Sequence, residues 1–124
     1  MSLIKKTVKL EDKEKYLKLH FSIINPMFPV QLSNKEAEIL SAFLSLDNKL
    51  IEDEVFNPLT RKKVMEVKKL SAGALGNHLK SMLSKGFLSK DAVTNRITIN
   101  KACLPCYPEQ SYNFKLILNE NKES

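Results

Sequence analysis

The sequence contains no Trp, and only two of its 124 residues are Cys and three are Gly. Leu, Ile, Val and Phe recur throughout, and the chain is not rich in Pro and Gly, which argues against global disorder. No apolar run approaches the roughly 18 residues of a transmembrane helix, so such a helix is excluded. The N-terminal residues become charged too soon for a secretory signal, which predicts a cytoplasmic protein. The length suits a single domain.

Arginine is also scarce: only Arg61 and Arg96 occur among 20 basic residues, and the net charge is +6. Residues 60–101 contain ten basic and two acidic side chains, a net charge of +8, whereas the rest of the chain carries −2. This concentration of positive charge favours nucleic acid or another acidic surface as a partner. The alternative is a lysine-rich surface that only faces solvent.

Recognisable catalytic motifs are absent. The sequence has no Walker or dinucleotide fingerprint, and the adjacent carboxylates Glu52-Asp53-Glu54 have no His, Cys or Gly-rich loop at a spacing that would complete a site. We therefore predict a protein that is not an enzyme, with no catalytic residues, no cofactor and no small-molecule effector.

The two cysteines form one C-x-x-C motif, Cys103-Leu-Pro-Cys106. A redox site would need this pair to open a helix, and Tyr107-Pro108 argues against that. A tetrahedral zinc site needs two further ligands, and the chain has only His20 and His78. Two reduced thiols without a bound metal are the favoured interpretation; a zinc ion shared across a dimer stays open.

The first half of the chain predicts two helices. Residues 5–10 fit a short strand or an ordered arm, and residues 11–25 fit a helix that ends before Pro26. Residues 25–29 are predicted as a loop. Ser33 and Glu36 form a capping box for a helix over residues 34–46, with Leu32 stapled onto Ala37. The apolar residues between Tyr16 and Phe28 would complete the core or provide a homodimer face.

The second half predicts two further helices and a β-hairpin. Residues 50–59 are predicted as a connector, Thr60 as the N-cap of a short helix over residues 61–67, and residues 68–70 as a turn. Ser71 caps a longer helix over residues 72–85, and Gly86 ends it. Residues 87–90 and 96–100 alternate as two strands, and residues 112–118 predict a final strand. The predicted fold is α+β, mainly α: a winged helix-turn-helix with a β-hairpin wing and short flanking strands.

The longer helix and its flanks carry, in order, Leu70-Ser71, Leu75, His78-Leu79, Met82 and Gly86-Phe87-Leu88. This spacing resembles the recognition-helix signature of ArsR- and MarR-type winged-helix regulators, L-S-x-x-x-φ-x-x-H-L-x-x-L-x-x-x-G-φ-φ, where φ is apolar and Met82 replaces a Leu. The run from Leu32-Ser33 to Leu40 is similar to the start of the preceding MarR-type helix. The resemblance covers residues 32–100 and implies an inward-leaning His78.

The sequence departs from these families in two respects. The side chains that would read base edges are Ala72, Gly73, Ala74 and Gly76, and only Asn77 suits adenine recognition. Weak base specificity, or reading by DNA shape, is therefore expected. The helix over residues 61–67 also contains no Cys or His, so metal sensing of the ArsR type is not supported.

These observations predict residues 1–31 as an N-terminal extension, 32–101 as the winged helix-turn-helix domain, and 102–124 as a strand and tail packed on that domain. We expect a DNA-binding protein of a bacterium or phage, acting as a transcriptional regulator or replication accessory factor on double-stranded DNA. A winged helix used as a protein-interaction module in a larger assembly is the alternative. The predicted DNA-binding residues are Arg61, Lys62, Lys63, Ser71, Asn77, Lys80, Lys85, Lys90 and Arg96.

Overall fold

The computed structural model describes residues 5–46 and 55–119, and these residues form four α-helices and a two-stranded antiparallel sheet. The mainly helical α+β class is therefore confirmed. Short 3-10 turns cover Asn25–Met27 and Lys101–Cys103. The regular elements are α1 (Lys13–Ile24), α2 (Asn34–Ser45), α3 (Pro58–Lys68), α4 (Ala72–Ser84), β1 (Leu88–Lys90) and β2 (Ile97–Ile99).

The first two helices begin where their sequences provide capping side chains. Asp12 Oδ1 accepts a hydrogen bond from the Glu14 N–H at 2.8 Å and starts α1, which ends before Pro26 because proline has no N–H to continue the helix. The predicted capping box at α2 is confirmed, with reciprocal bonds between Ser33 and Glu36. The predicted loop after α1 contains one 3-10 turn.

The predicted start of α3 is wrong. Thr60 is not the N-cap but a buried residue inside the helix. The cap is Asn57, whose Oδ1 accepts from the Thr60 N–H at 2.8 Å, and Pro58 occupies the first helical position. Proline suits this position because its missing N–H would have had no partner within the helix. The predicted connector therefore ends earlier than residue 59; its residues 50–54, including Glu52-Asp53-Glu54, lie outside the described residues.

The predicted features of α4 and the hairpin are confirmed. Ser71 Oγ accepts from the Ala74 N–H at 3.1 Å, and Gly86 follows the helix with a φ of +86°. β1 and β2 pair antiparallel with Leu88 opposite Ile99. The connecting loop is held by Asp91 Oδ1, which accepts from the Val93 and Thr94 N–H groups at 2.7 and 3.0 Å.

Two predicted strands are not formed. Residues 5–10 and 112–118 have no regular secondary structure, so the strand alternative for the first segment and the final strand are both wrong. Tyr112 is half-buried, but the exposed fractions of Leu116 and Leu118 are 98% and 82%. Strand-forming residues need a neighbouring strand for their backbone groups. Among the described residues neither segment has one.

The hydrophobic core draws on all four helices and on the start of the sheet. In α1, Leu17 and Phe21 are fully buried, so the N-terminal segment contributes to the core as predicted. Leu19, Met27 and Val30 of the same region are exposed. Within the described ranges, each helix is too short or too polar to cross a membrane. The core side chains that fill the interior include Leu17, Phe21, Ile39, Leu40, Phe43, Val64, Leu75, Leu79, Met82, Phe87 and Leu88.

Candidate nucleic-acid interface

The helices α3 and α4 are joined by a turn of three residues. Lys69 takes up the left-handed conformation with a φ of 54°. The Leu70 N–H donates to the Met65 carbonyl at 2.9 Å, which closes the end of α3. Ser71 then caps α4 and is itself exposed. The N–H groups of the first turn of α4 therefore begin at the surface, where such groups favour anions.

One face of α4 is buried, and two of the residues exposed near its N-terminus are glycines. Leu75, Leu79 and Met82 face the core. On the exposed side, Gly73 and Gly76 have open space where a Cβ would lie, with no atom within 4 Å. Neither glycine is required by the packing of the described residues around it. Asn77 and Lys80 are exposed on the same helix. His78 is half-buried, as expected for the inward-leaning side chain that the family resemblance implies.

Three of the lysines that the sequence analysis predicted for phosphate contact are exposed on α3 and α4. Lys62 and Lys63 are exposed on α3, and Lys80 is exposed on α4. Lys68 differs, because its Nζ lies 2.8 Å from Glu14 Oε2 of α1. This pair neutralises part of the positive charge of residues 60–101 and joins α3 to α1.

Lys85 is partly buried and pairs with a carboxylate. Its Nζ lies 2.5 Å from Glu36 Oε1, and the exposed fractions of the two side chains are 22% and 3%. Burial raises the pKa of Glu36, but hydrogen bonds from Lys85, the Ser33 N–H and Ser81 outweigh this effect and leave the pKa at about 2. The ammonium group predicted to bind phosphate thus stabilises the contact between α2 and the end of α4.

The hairpin presents its polar side chains to solvent. Lys90 and Arg96 are exposed at the two sides of the loop, and Val93 at its tip has an exposed fraction of 90%. Hydrogen bonds from the Thr94 and Val93 N–H groups lower the pKa of Asp91. The carboxylate of Asp91 is thereby held by the backbone of its own loop. Lys90 and Arg96 also line an open recess of about 480 Å³ beside the hairpin.

Arg61 lies at a different place from the exposed lysines. It is half-buried, and its Nε–H donates to the Phe56 carbonyl at 2.7 Å. It lines a second cavity, of about 240 Å³, between the start of α3 and the start of β2, and Arg96 lines the same cavity. The structure therefore brings together the two arginines that are far apart in the sequence.

A cluster on α1 was missed by the sequence interpretation. The Nε2 of His20 lies 2.8 Å from the Cys103 carbonyl oxygen, and Nδ1 lies 2.5 Å from the Tyr112 hydroxyl. The carbonyl only accepts, so Nε2 carries the proton and Nδ1 accepts from Tyr112. Tyr16 donates from its hydroxyl to the Cys106 carbonyl. The C-terminal segment is thus hydrogen-bonded to α1. In the sequence, the only indication of this contact is the single His within the apolar face of α1.

The two cysteines are free thiols in different surroundings, Cys103 buried and Cys106 exposed. Burial raises the pKa of the Cys103 thiol, which disfavours the thiolate needed for redox chemistry or metal binding. The part of the chain that the structure describes holds no group of three His, Cys, Asp or Glu side chains that could bind a metal ion.

Comparison of the chain with protein-family models, curated proteins and solved structures found no match.

Proposed function

We propose that this protein is a winged helix-turn-helix DNA-binding protein, in which α3 and α4 form the helix-turn-helix and the β1–β2 hairpin forms the wing. The observation that carries the proposal is the exposed N-terminal half of α4, followed directly by a hairpin with a cation at each side of its loop. A major groove about 12 Å wide admits one α-helix, and a hairpin beside it reaches the flanking backbone.

Contacts with phosphate groups would supply most of the affinity. Lys62, Lys63 and Lys80 are exposed and belong to the two helices of the proposed motif. Lys90 and Arg96 belong to the proposed wing. Ser71 and the first N–H groups of α4 add an uncharged anion-binding end. Lys85 is left out of this set because it is paired with Glu36.

Base recognition would be weak under this proposal. Asn77 is the one exposed amide on the first half of α4, and amides pair with adenine in the major groove. The other exposed positions, Ala72, Gly73 and Gly76, allow close approach and offer no hydrogen bond from a side chain. A transcriptional regulator that reads DNA shape and a replication accessory factor with low specificity both fit these properties.

The second candidate is a protein-interaction module in a larger assembly. The small residues on the exposed face of α4 favour a protein partner, since they let another backbone approach closely. Leu59 and Val67 of α3 also have exposed fractions of 59% and 65%. Apolar residues at the surface suit a protein partner better than a phosphate backbone.

Charge reversal at three exposed lysines tests the proposal. The variant with Lys62→Glu, Lys63→Glu and Lys80→Glu should lose measurable binding to duplex DNA of random sequence in a gel-shift titration. Because the three side chains are exposed, the circular dichroism spectrum should not change. The matched control reverses Lys5, Lys9 and Lys15, which are exposed outside the motif, and should keep most of the binding. Equal losses in the two variants would contradict the assignment of the interface.

A further inference from the structure

The cavity between the start of α3 and the start of β2 is lined by the only two arginines of the chain. All the other 18 basic residues are lysines. Asn95 also lines the cavity and adopts the left-handed conformation with a φ of 61°, immediately before Arg96. The fold therefore brings two side chains of one rare type to the same small space from different elements.

The Arg61 guanidinium is held in a defined direction. Its Nε–H donates to the Phe56 carbonyl at 2.7 Å, and Phe56 is itself buried in the core. A guanidinium has five N–H donors in a planar fork, so this bond leaves the Nη groups for a ligand. Such fixation lowers the entropy that the side chain would lose on binding an anion.

Arg96 lines both this cavity and the open recess beside the hairpin that Lys90 also lines. Its five donors allow it to serve a ligand in addition to contacts within the chain. The nearby Asp91 carboxylate accepts hydrogen bonds from the Val93 and Thr94 N–H groups of its own loop and also attracts Arg96 electrostatically. Arg61 and Arg96 together contribute two positive charges to the lining of one cavity, which favours an anion there.

We propose that this cavity binds one phosphate group, shared between Arg61 and Arg96. Arginine forks match the oxygens of a phosphate in pairs, which a lysine ammonium does not do. The volume of about 240 Å³ is smaller than the roughly 300 Å³ at which pockets for drug-sized ligands begin, so the cavity suits one anionic group of a larger ligand. The inference rests on the proposed function in that the DNA backbone supplies the phosphate; a free phosphorylated ligand is the other source.

The salt dependence of DNA binding distinguishes a shared phosphate from two separate ones. The logarithm of the binding constant falls by about 0.9 per neutralised phosphate for each tenfold rise in salt. With a shared phosphate, Arg61→Gln and Arg96→Gln alone should leave the slope nearly unchanged, and the double variant should lower its magnitude by about 0.9. The control double variant, Lys62→Gln with Arg96→Gln, should also lower the magnitude of the slope by about 0.9. It lacks the phosphate contact of Lys62, whereas Arg61 still binds the shared phosphate. A decrease of about 0.9 for each single arginine variant and about 1.8 for the double arginine variant would overturn the proposal.

Titration with inorganic phosphate tests the cavity without DNA. The two arginines give two Nε–H signals in a nitrogen-proton correlation spectrum, and both should shift together along one binding curve. In Arg96→Lys, the shift of the Arg61 signal should decrease at least tenfold at the same phosphate concentration. If the protein binds no DNA but shows this joint shift, the proposed function fails and a free phosphorylated ligand is indicated. If neither signal shifts, or the two follow different curves, the shared site is wrong.

Arg61→Gln removes the hydrogen bond to the Phe56 carbonyl, so the stability of this variant has to be measured. Thermal unfolding followed by circular dichroism measures it. If Arg61→Gln is unfolded, the spectrum of Arg96→Lys decides the proposal by itself. Arg96 is exposed, and its replacement by Lys keeps the charge.

Discussion

Glu36 has two structural roles, because it caps α2 and pairs with Lys85 beyond the end of α4. The capping box was predictable, since its two residues are three positions apart and need no tertiary structure. The pair with Lys85 spans 49 positions, and no local pattern indicates which distant lysine meets a buried carboxylate. The same holds for His20 and Tyr112, which are 92 positions apart. Residue-level features were predictable where the contact is local.

Replacement of Glu36 by Gln should lower the free energy of unfolding by about 2 kcal/mol at neutral pH. The glutamine retains an acceptor for the Ser33 N–H but leaves the partly buried Lys85 ammonium without its counter-ion. Urea titration measures the change. The control is Glu38→Gln, because Glu38 and Lys35 form a 3.9 Å pair with exposed fractions of 43% and 44%, and its effect should be about 0.5 kcal/mol or less.

The effect of Glu36→Gln should depend on pH in a defined direction. The pKa of Glu36 is lowered from 4.5 to about 2 in the folded protein, so its stabilisation is complete above pH 4.5 and is lost as the pH falls towards 2. The difference in unfolding free energy between wild type and Glu36→Gln should therefore shrink over that range. A difference that stays constant down to about pH 2 would contradict the ion pair.

The protein should become less stable in mild acid, because protonation of the buried His20 is unfavourable in the folded state. Burial lowers the pKa of His20 from 6.5, and this effect exceeds the opposite one of the hydrogen bond to the Cys103 carbonyl. The unfolded chain then binds the proton more readily, so stability is complete above pH 6.5 and falls as the pH drops below it. Urea titrations at about pH 7 and pH 5 measure this loss. His20→Gln should remove it and His78→Gln should retain it; equal profiles for wild type and His20→Gln would refute the assignment.

At the scale of elements, the helices were more predictable than the strands. The helix over α4 was correctly placed, because Ser71, Gly86 and the apolar face of the helix all lie within its own sequence. The start of α3 was misplaced because Asn and Thr are both favoured residue types for an N-cap, whereas in the structure Asn57 is the cap and Thr60 is buried inside the helix. A strand at residues 112–118 needs a neighbouring strand to pair with, and the local sequence does not indicate whether the fold provides one.

The two exposed glycines of α4 should be replaceable by alanine with a gain in stability. A Cβ at Gly73 or Gly76 meets no atom within 4 Å, and alanine is favoured over glycine in a helix by about 1 kcal/mol. Each of Gly73→Ala and Gly76→Ala should therefore raise the free energy of unfolding by roughly that amount. The control Gly86→Ala should lower it, because Gly86 has a φ of +86°.

The same two substitutions report on the face of α4. If that face approaches DNA closely, the added methyl groups should weaken DNA binding although the fold becomes more stable. Fluorescence anisotropy with labelled duplex measures the affinity. Unchanged affinity in the Gly73→Ala, Gly76→Ala double variant would show that α4 is not the contacting helix.

At the scale of the whole molecule, the distribution of charge connects the sequence with the proposed function. The sequence located the positive excess in residues 60–101 but not the direction of each side chain. The structure pairs Lys68 with Glu14 and Lys85 with Glu36, and both carboxylates come from outside that segment. These pairings could not be predicted, because they depend on how α1 and α2 pack against the remaining helices. Most of the exposed cations that remain in residues 60–101 lie on α3, α4 and the hairpin; Lys69 and Lys101 are exposed in the turns that follow α3 and β2.

The most direct test of the proposed function is the affinity of the protein for random-sequence duplex DNA across a salt series of about 50 to 200 mM. Five phosphate contacts, from Lys62, Lys63, Lys80, Lys90 and the arginine pair, predict a slope of about −4.5 in log affinity against log salt. Binding that does not change with salt, or no binding at the lowest salt, would contradict the account.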